Sequence, residues 1–329
     1  MSIPSRILIT GCTGFVGGYL VEHCRIHYPQ AELFGVSRHL TLHTATPGMS
    51  DVKLLEADIM QPEAIRQVVA LSQPDLIIHL AAQSSVSASW KDPFGTLKVN
   101  AGGTLHLLEA LRSEQLTPRI VLVGSGEQYG MVRPEDNPIR EECLFRPANP
   151  YAVSKAVQDL YGYQYFVAYG LPIMRTRPFN HFGPRQTSTF VVANFARQIA
   201  LIETGKAEPV LYVGNLQAWR DFLPVEDVVA AYLAVAEQGQ PGEAYNIGSG
   251  RARSIRAILD LLLTFAETSI EVREDPERLR PVDVPLLEAD TSSLRADTNW
   301  KPAVQFESAL LRTLDFWRKV VTSERQEYR

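Results

Sequence analysis

The stretch RILITGCTGFVG, residues 6–17, decides the fold of this chain. Residues 6–10 form a short apolar run that ends abruptly at Gly11, and an amphipathic stretch then continues to about His27. A strand, a glycine turn and a helix in this order are typical of dinucleotide binding, because glycines let the backbone approach a pyrophosphate at the positive end of the helix. The spacing is GxxGxxG rather than GxGxxG, and the glycines alone could mark only a tight turn. With the flanking strand and helix, we predict dinucleotide contacts from Gly11, Thr13, Gly14, Phe15, Val16 and Gly17.

Apolar runs and amphipathic stretches alternate along much of the chain. Strands are predicted at residues 33–36, 52–57, 75–80, 119–123, 171–177 and 245–247, and helices at 62–72 and 190–204. This alternation predicts an α/β fold built on a Rossmann-type, doubly wound parallel sheet, with ligands at the carboxyl ends of its strands. We assign residues 1–177 and 222–250 to the dinucleotide-binding domain, and residues 178–221 and 251–329 to a smaller, mixed α/β substrate-binding domain.

The ends of the strands indicate which dinucleotide is bound. Ser37 and Arg38 follow the second strand, where an acidic residue would accept a hydrogen bond from a ribose 2′-hydroxyl. A serine and an arginine suit a 2′-phosphate instead, so we predict NADP(H), with NAD(H) possible. The alternative is an arginine that only faces solvent. Further cofactor contacts are expected from Asp58 and Ile59 near the adenine, and from Leu80, Ala81 and Ala82 after the fourth strand.

A serine, a carboxylate and a YxxxK pattern follow the fifth strand. Ser125 lies at its carboxyl edge, where a hydroxyl can donate to a carbonyl oxygen as charge develops, and Glu127 is two residues further on. Tyr151 and Lys155, within YAVSK, project from one helix face. An ammonium near the phenol favours the phenolate, so the pair can exchange a proton with a carbinol oxygen. The alternative is a helix with a buried aromatic and a solvated lysine.

These motifs together resemble the extended short-chain dehydrogenases/reductases that act on nucleotide sugars. TGCTGFVGG, LAAQSSV, VNAGGT around Asn100, Ser125 and YAVSK have the order and spacing of that family, and the resemblance covers nearly the whole chain. It implies that Ser125 and Tyr151 bind the reacting oxygen, and that Lys155 holds the nicotinamide ribose and lowers the pKa of Tyr151. It also implies cofactor contacts from Asn100 and Pro178, and a homodimer through helices near residues 94–112 and 151–169.

In the second half, the resemblance implies a site for the nucleotide sugar. It places Asn180 against the sugar or diphosphate, and the segment that contains Asn215 and Arg220 resembles the GNLxAxRDF segment of GDP-sugar enzymes. Forked guanidiniums suit a diphosphate. The alternative is that each arginine makes an ion pair, which is the commoner fate of a surface arginine. The substrate contacts implied for this half are Asn180, Arg185, Asn215, Arg220 and Arg280.

The motifs VGSGEQYG, TRPFNHFGP, VGNLQAWRDF and LRPVDVP most resemble those of GDP-6-deoxy-4-keto-mannose reductases. This implies NADPH-dependent reduction of the C4 ketone of GDP-4-keto-6-deoxy-D-mannose to GDP-D-rhamnose, with Tyr151 as proton donor and Ser125 orienting the carbonyl. The alternative on the same fold is a GDP-mannose 4,6-dehydratase with Glu127 as base. Further alternatives are a nucleotide-sugar 4-epimerase and a dinucleotide-sensing protein without catalysis.

Composition and charge exclude several other classes of protein. The net charge of −5 and pI near 5.9 of the 329 residues argue against nucleic acid as a partner. No apolar run approaches the roughly 20 residues that span a bilayer, and no signal peptide is visible, so we expect a soluble, cytoplasmic protein. The cysteines are odd in number and without CxxC spacing, which indicates reduced thiols. His39 and His43 lack a suitably spaced carboxylate, and we predict no metal site.

Overall fold

The computed structural model describes residues 3–38, 49–279 and 282–323. In its first part the elements follow in the order β1 (Arg6–Thr10), α1 (Phe15–His27), β2 (Glu32–Ser37), β3 (Val52–Glu56), α2 (Pro62–Ser72), β4 (Leu76–His79), α3 (Val86–Lys91), α4 (Pro93–Leu97), a π-helical turn (Lys98–Gly102), α5 (Gly103–Ser113) and β5 (Arg119–Val123).

The second part continues with α6 (Pro150–Tyr169), β6 (Ile173–Pro178), β7 (Asn180–Phe182), α7 (Val191–Glu203), β8 (Val210–Val213), β9 (Trp219–Pro224), α8 (Val225–Gln238), β10 (Ala244–Ile247), β11 (Ala252–Ser254), α9 (Ile255–Thr264), β12 (Glu271–Glu274), β13 (Leu286–Leu287), α10 (Ser292–Thr298) and α11 (Phe306–Ser323). Short 3₁₀ turns connect several of these elements, including one at Gly126–Tyr129 that follows β5.

A seven-stranded sheet, to which both parts of the chain contribute, forms the larger region, with strand order β10-β6-β5-β4-β1-β2-β3 and parallel pairing throughout. Alternate residues of β1 face opposite sides, so that Ile7 and Ile9 join one apolar core and Leu8 joins another. Chain order reverses between β1 and β4, which places a ligand crevice at their carboxyl ends. The predicted Rossmann-type fold is confirmed.

A smaller, mixed region contains the remaining strands. Strands β11, β9 and β13 form a sheet that β7 joins through β9, and β8 pairs with β12. Helices α7, α9 and α11 cover a separate apolar core that includes Phe182, Ala196 and Leu310. One element departs from the predicted division of the chain. Helix α10 packs on α8 and β10, because Leu294 and Trp300 belong to the core of the seven-stranded sheet.

Two expected absences concern membranes and metals. Among the described residues, no helix has both the length and the apolar character needed to cross a membrane. The described histidines, cysteines and acidic residues also do not gather into a group of three or more that could hold a metal ion. His39 and His43 lie outside the described residues.

Candidate active site

The loop between β1 and α1 approaches its neighbours too closely for ordinary side chains. Gly11 has a φ of +72°, and a Cβ there would lie 2.9 Å from the backbone nitrogen of Ala81. A Cβ on Gly17 would lie 2.3 Å from the Gly11 carbonyl oxygen. Gly14 is exposed at the start of α1, and no described side chain caps that helix end. The positive end of α1 can therefore receive an anion such as a pyrophosphate.

The residues predicted near the adenosine lie at the same edge of the sheet. Ser37 is buried at the end of β2, whereas Arg38 is exposed beyond it. The Asp58 carboxylate accepts a hydrogen bond from the Met60 amide at 2.9 Å, which fixes the turn after β3. Ile59 is buried in that turn. An exposed arginine next to a buried serine fits a 2′-phosphate at this position.

The fourth and sixth strands deliver the other predicted cofactor contacts. Leu80, Ala81 and Ala82 follow β4 and are half-buried. The Ala81 amide donates to the Thr10 hydroxyl at 3.2 Å, so this segment is held directly against β1. Pro178 ends β6 and is buried. Together with the glycine loop, these strand ends bring small side chains to one edge of the sheet, which fits a dinucleotide.

Asn100 is placed differently from the direct cofactor contact that we expected. Its side chain is fully buried, and Oδ1 accepts from the Gln83 amide at 2.7 Å. Nδ2 donates to the Gln83 carbonyl oxygen at 3.0 Å and to the Ser154 hydroxyl oxygen at 2.8 Å. Because both ends of the amide are bonded within the protein, Asn100 positions the loop after β4 and helix α6.

Ser125 and Glu127 lie on the 3₁₀ turn after β5. The Ser125 hydroxyl accepts from the Glu127 amide at 3.2 Å, and the Ser125 amide donates to Gln128 Oε1 at 3.1 Å. Gln128 in turn donates to the buried carboxylate of Asp159 at 3.0 Å. Arg177 also bonds to Asp159, at 2.9 Å. A buried ion pair therefore supports the turn that presents Ser125.

Tyr151 lies in the first turn of α6 and is 9% exposed. Burial raises the pKa of Tyr151 to about 12, the hydrogen bond with Ser125 lowers it, and the charge of Glu127 raises it. The serine, the tyrosine and the carboxylate that we predicted are thus brought together at one place. At neutral pH the phenol carries its proton and can donate it to a developing alkoxide.

Lys155 is buried below Tyr151 on the same helix. Its Nζ donates to the Val123 carbonyl oxygen and to Gln158 Oε1, both at 2.8 Å, and burial lowers the pKa of Lys155 to about 7. We expected this ammonium to lower the pKa of Tyr151. The structure differs, because burial of the phenol prevails and the amine faces the carbonyl of β5 instead.

Of the residues predicted to bind substrate, Asn180 lines a cleft and Arg185 does not. Asn180 borders a cavity of about 100 Å³ together with Ser85 and Phe190. The Arg185 guanidinium bonds to the Glu22 carboxylate at 2.8 Å and lies 4.1 Å above the Tyr19 ring. The ion-pair alternative therefore describes Arg185, and its predicted contact with a diphosphate is not supported.

Asn215 and Arg220 meet at a common carboxylate. The Asn215 amide donates to one Asp283 oxygen at 2.7 Å, and Arg220 donates to the other at 2.6 Å. Arg220 is 5% exposed and also donates to the carbonyl oxygens of Trp219 and Val284. Three of its five N–H donors are thus bonded within the protein, which does not support the expectation that it faces the substrate. Arg280 lies outside the described residues.

Sequence reasoning missed a buried histidine behind the site. His79 bonds through Nδ1 to the Thr10 hydroxyl at 2.8 Å and through Nε2 to the Thr104 hydroxyl at 3.0 Å. Thr104 donates its own proton to the Asn100 carbonyl oxygen at 2.7 Å. His79 Nε2 therefore carries a proton and Nδ1 accepts one. Burial and, to a smaller extent, the charge of Lys155 together lower the pKa of His79 to about 3.

Asn149 was also missed, although a signal for it was present. Asn-Pro before a helical stretch is typical of an N-cap followed by proline at the first helical position. In the structure Asn149 caps α6, with Oδ1 accepting from the Ala152 amide at 2.8 Å. Its Nδ2 donates to the Glu127 carboxylate at 3.3 Å. Sequence patterns could not predict this second bond, because it joins two separate elements.

Comparison with known proteins places this geometry in a family. Residues 8–313 match the family model described as GDP-mannose 4,6 dehydratase. The chain is 34% identical to GDP-6-deoxy-D-mannose reductase of Pseudomonas aeruginosa, over 98% of this chain and 100% of the relative. It is 32% identical to GDP-mannose 4,6 dehydratase 2 of Arabidopsis thaliana, over 95% of this chain and 87% of the relative.

A solved structure supports the same assignment. The structure of RMD from Pseudomonas aeruginosa complexed with NADPH superimposes with a TM-score of 0.81 at 32% identity, and covers 96% of this chain and 99% of that one. The resemblance drawn from the glycine loop, Ser125 and YAVSK is therefore confirmed. The chain belongs to the GDP-mannose 4,6-dehydratase family of extended short-chain dehydrogenases/reductases.

Proposed function

We propose that this protein reduces the C4 ketone of GDP-4-keto-6-deoxy-D-mannose to GDP-D-rhamnose, with NADPH as the reductant. One observation carries the proposal: the Ser125 hydroxyl, at the carboxyl end of β5, lies next to the protonated phenol of Tyr151. The similarity to GDP-6-deoxy-D-mannose reductase over nearly the whole chain supports the choice of substrate.

Each residue of the site has a separate role in a ketone reduction. NADPH, when bound, supplies the hydride that reaches C4. Ser125 donates a hydrogen bond to the ketone oxygen and fixes its position, while Tyr151 transfers its phenolic proton to the same oxygen. Lys155 would hold the nicotinamide ribose through the third N–H of its amine, since two are bonded to Val123 and Gln158. A proton from solvent then restores the neutral phenol of Tyr151. Because burial raises the pKa of this phenol, it stays protonated at neutral pH.

The cofactor is proposed to lie along the carboxyl edge of β1, β2 and β4. The amide end of α1 and the glycine loop would receive the pyrophosphate, and Arg38 the 2′-phosphate. NADPH in the similar enzyme from Pseudomonas aeruginosa supports the phosphorylated form. NAD(H) is the alternative if Arg38 faces only solvent.

A dehydratase is the second candidate, and Glu127 favours it. The negative charge of Glu127 raises the pKa of the Tyr151 phenol. The Glu127 carboxylate would therefore lie near the carbonyl that Tyr151 polarises. A base in that position could remove a proton from the carbon next to the ketone. The similarity to plant GDP-mannose 4,6 dehydratases is compatible with this reading.

We also propose a homodimer in which two copies pair through α4 and α6. These helices expose Phe94, Leu160, Tyr163 and Val167 at 66, 58, 49 and 63%, respectively. Apolar side chains of this size in a neighbouring group are typical of a surface that a partner covers. Light scattering tests the proposal: Leu160→Asp should yield monomers, and a monomeric wild-type protein would refute it.

Two incubations separate the reductase from the dehydratase. With NADPH and GDP-4-keto-6-deoxy-mannose, we expect stoichiometric loss of NADPH absorbance. With GDP-mannose alone, we expect no conversion, and conversion without net cofactor consumption would establish the dehydratase. Tyr151→Phe should lower the reduction rate by about 10²-fold or more, because the proton donor is lost. Tyr212→Phe, an exposed tyrosine on β8 outside both the site and the proposed dimer surface, is the matched control.

A further inference from the structure

Asn149 connects two walls of the active site that are separate along the chain. Glu127 belongs to the 3₁₀ turn after β5, and Tyr151 belongs to the first turn of α6. Asn149 Oδ1 accepts from the Ala152 amide at 2.8 Å, and Nδ2 donates to Glu127 Oε2 at 3.3 Å. The oxygen of an amide can only accept and its nitrogen can only donate, so the two bonds fix one orientation of the side chain.

The partners of Asn149 are themselves fixed. The Glu127 amide donates to the Ser125 hydroxyl oxygen at 3.2 Å, and this bond fixes the backbone of the turn that carries both residues. The Glu127 side chain is half-buried, and its described hydrogen bond comes from Asn149. Without that bond, three rotatable side-chain torsions would let the carboxylate turn toward water.

We propose that Asn149 is a positioning residue for the reduction: it holds the Glu127 carboxylate beside the Tyr151 hydroxyl and at the same time fixes the helical turn that carries Tyr151. This inference rests on the proposed reductase function. It assigns to Glu127 a fixed charge near the proton donor, and to Asn149 the task of keeping that charge in place. Asn149 itself need not touch the substrate.

Fixing the carboxylate has a consequence for the proton on Tyr151. The groups that act on the phenol are Ser125 and Glu127 from the turn, and Tyr232 from α8 lies near it, whereas the Lys155 amine is bonded to Val123 and Gln158. A nearby negative charge disfavours the phenolate, so Glu127 helps Tyr151 to retain its proton until the ketone oxygen receives it. If Glu127 turned away, the pKa of Tyr151 would fall, and the carboxylate would no longer have a fixed position beside the proton donor.

Three variants separate this role from helix capping. Asn149→Ser keeps a side-chain oxygen that caps α6 but lacks the donor to Glu127. Asn149→Asp also caps the helix, yet places a second carboxylate against Glu127. The double variant Asn149→Asp with Glu127→Gln restores a hydrogen bond with donor and acceptor exchanged, since glutamine donates to aspartate.

The expected results concern kcat and its separation from KM. Asn149→Ser should lower kcat by about five-fold and leave KM for NADPH unchanged. Its thermal midpoint should stay within about 2 °C of wild type, because serine also caps helices well. Asn149→Asp should be slower still, and the double variant should recover about five-fold in kcat over Asn149→Asp.

Three outcomes would overturn the inference. They are an unchanged kcat in Asn149→Ser, a fall in its thermal midpoint with kcat and KM for NADPH changed together, and a double variant no faster than Asn149→Asp. If Asn149→Asp does not fold, the split between kcat and KM in Asn149→Ser alone decides. Wild-type protein that fails to oxidise NADPH with the keto sugar would refute the proposed function instead, so the two failures are distinguishable.

Discussion

The glycine loop after β1 and the segment with Asn215 and Arg220 are both predicted to hold phosphate groups, yet they are built in different ways. The loop works through its backbone, with an exposed Gly14 at the start of α1. In the second segment the donors are side chains, and those of Arg220 are already bonded to Asp283 and two carbonyl oxygens. One region is open to an anion as it stands, whereas the other must first exchange a partner.

The two regions therefore differ in the substitutions and changes of partner that they tolerate. A backbone site tolerates no added side chain where strands and loop touch, because nothing nearby can move aside. A buried guanidinium can change partner, but only if a phosphate replaces the carboxylate that it leaves, since an unpaired buried charge is costly. Three substitutions and one change of pH test this difference.

The largest effect is expected from one side chain added to the glycine loop. Gly17→Val should abolish cofactor binding and destabilise the fold by more than about 3 kcal/mol, because even a Cβ would lie 2.3 Å from the Gly11 carbonyl oxygen. Gly102→Ala is the control, since a Cβ there meets nothing within 4 Å. Thermal unfolding and NADPH fluorescence titration measure both. A folded Gly17→Val that binds NADPH would show that the loop is not closely packed.

The next effect distinguishes a structural arginine from a phosphate ligand. Arg220→Met keeps most of the side-chain volume but leaves Asp283 and two carbonyl oxygens without their donor. We expect the free energy of unfolding to fall by about 2–4 kcal/mol, measured by urea denaturation. Arg256→Met removes an exposed ion pair and should cost less than about 0.5 kcal/mol. If Arg220→Met instead keeps its stability and raises only KM for the sugar nucleotide, Arg220 binds the diphosphate.

The same contrast explains what the sequence could predict. Strands β1 and β5 and helix α2 begin and end where the apolar runs and their polar or proline flanks predicted, because local patterns determine them. The close approach of Gly17 to Gly11 follows from a local motif as well. The partner of Arg220 is 63 residues away and the second partner of Asn149 is 22 residues away, so tertiary packing sets both. The motif positions were readable, but their partners were not.

Acid should destabilise the seven-stranded sheet, which contains His79, at a higher pH than it destabilises the smaller region. His79 has a pKa of about 3 in the folded protein and about 6.5 when unfolded. The unfolded chain therefore binds a proton that the folded chain does not, and stability is lost as pH falls from 6.5 toward 3. Between pH 7 and 5 the loss attributable to His79 should be about 2 kcal/mol.

The smaller region responds to acid in a lower range of pH. Its Glu203 is paired with Arg318, and the pKa of Glu203 is lowered, with burial opposing the hydrogen bond from Arg318. That contribution is present above the ordinary glutamate pKa and is lost only below it. Denaturation of wild type and His79→Gln at pH 7 and pH 5 measures the difference. Equal losses in both proteins would contradict the assignment to His79.

The smallest effect concerns the choice of dinucleotide. Arg38→Ala should raise KM for NADPH by about ten-fold, since a charge-assisted hydrogen bond at an exposed site is lost. KM for NADH should stay unchanged, because NADH has no 2′-phosphate for Arg38 to contact. Initial-rate kinetics with each cofactor check this. An equal effect on both cofactors would mean that Arg38 acts on the loop rather than on the phosphate.

The most direct test of the account follows the hydride itself. The protein is incubated with GDP-4-keto-6-deoxy-mannose and NADPH that carries deuterium at both C4 positions of the nicotinamide, and the product sugar is analysed by mass spectrometry and NMR. We predict one deuterium per product molecule, attached to C4 of a GDP-6-deoxyhexose. Consumption of the keto sugar without deuterium at C4, or a product that retains the ketone, would contradict reduction at the Ser125–Tyr151 site.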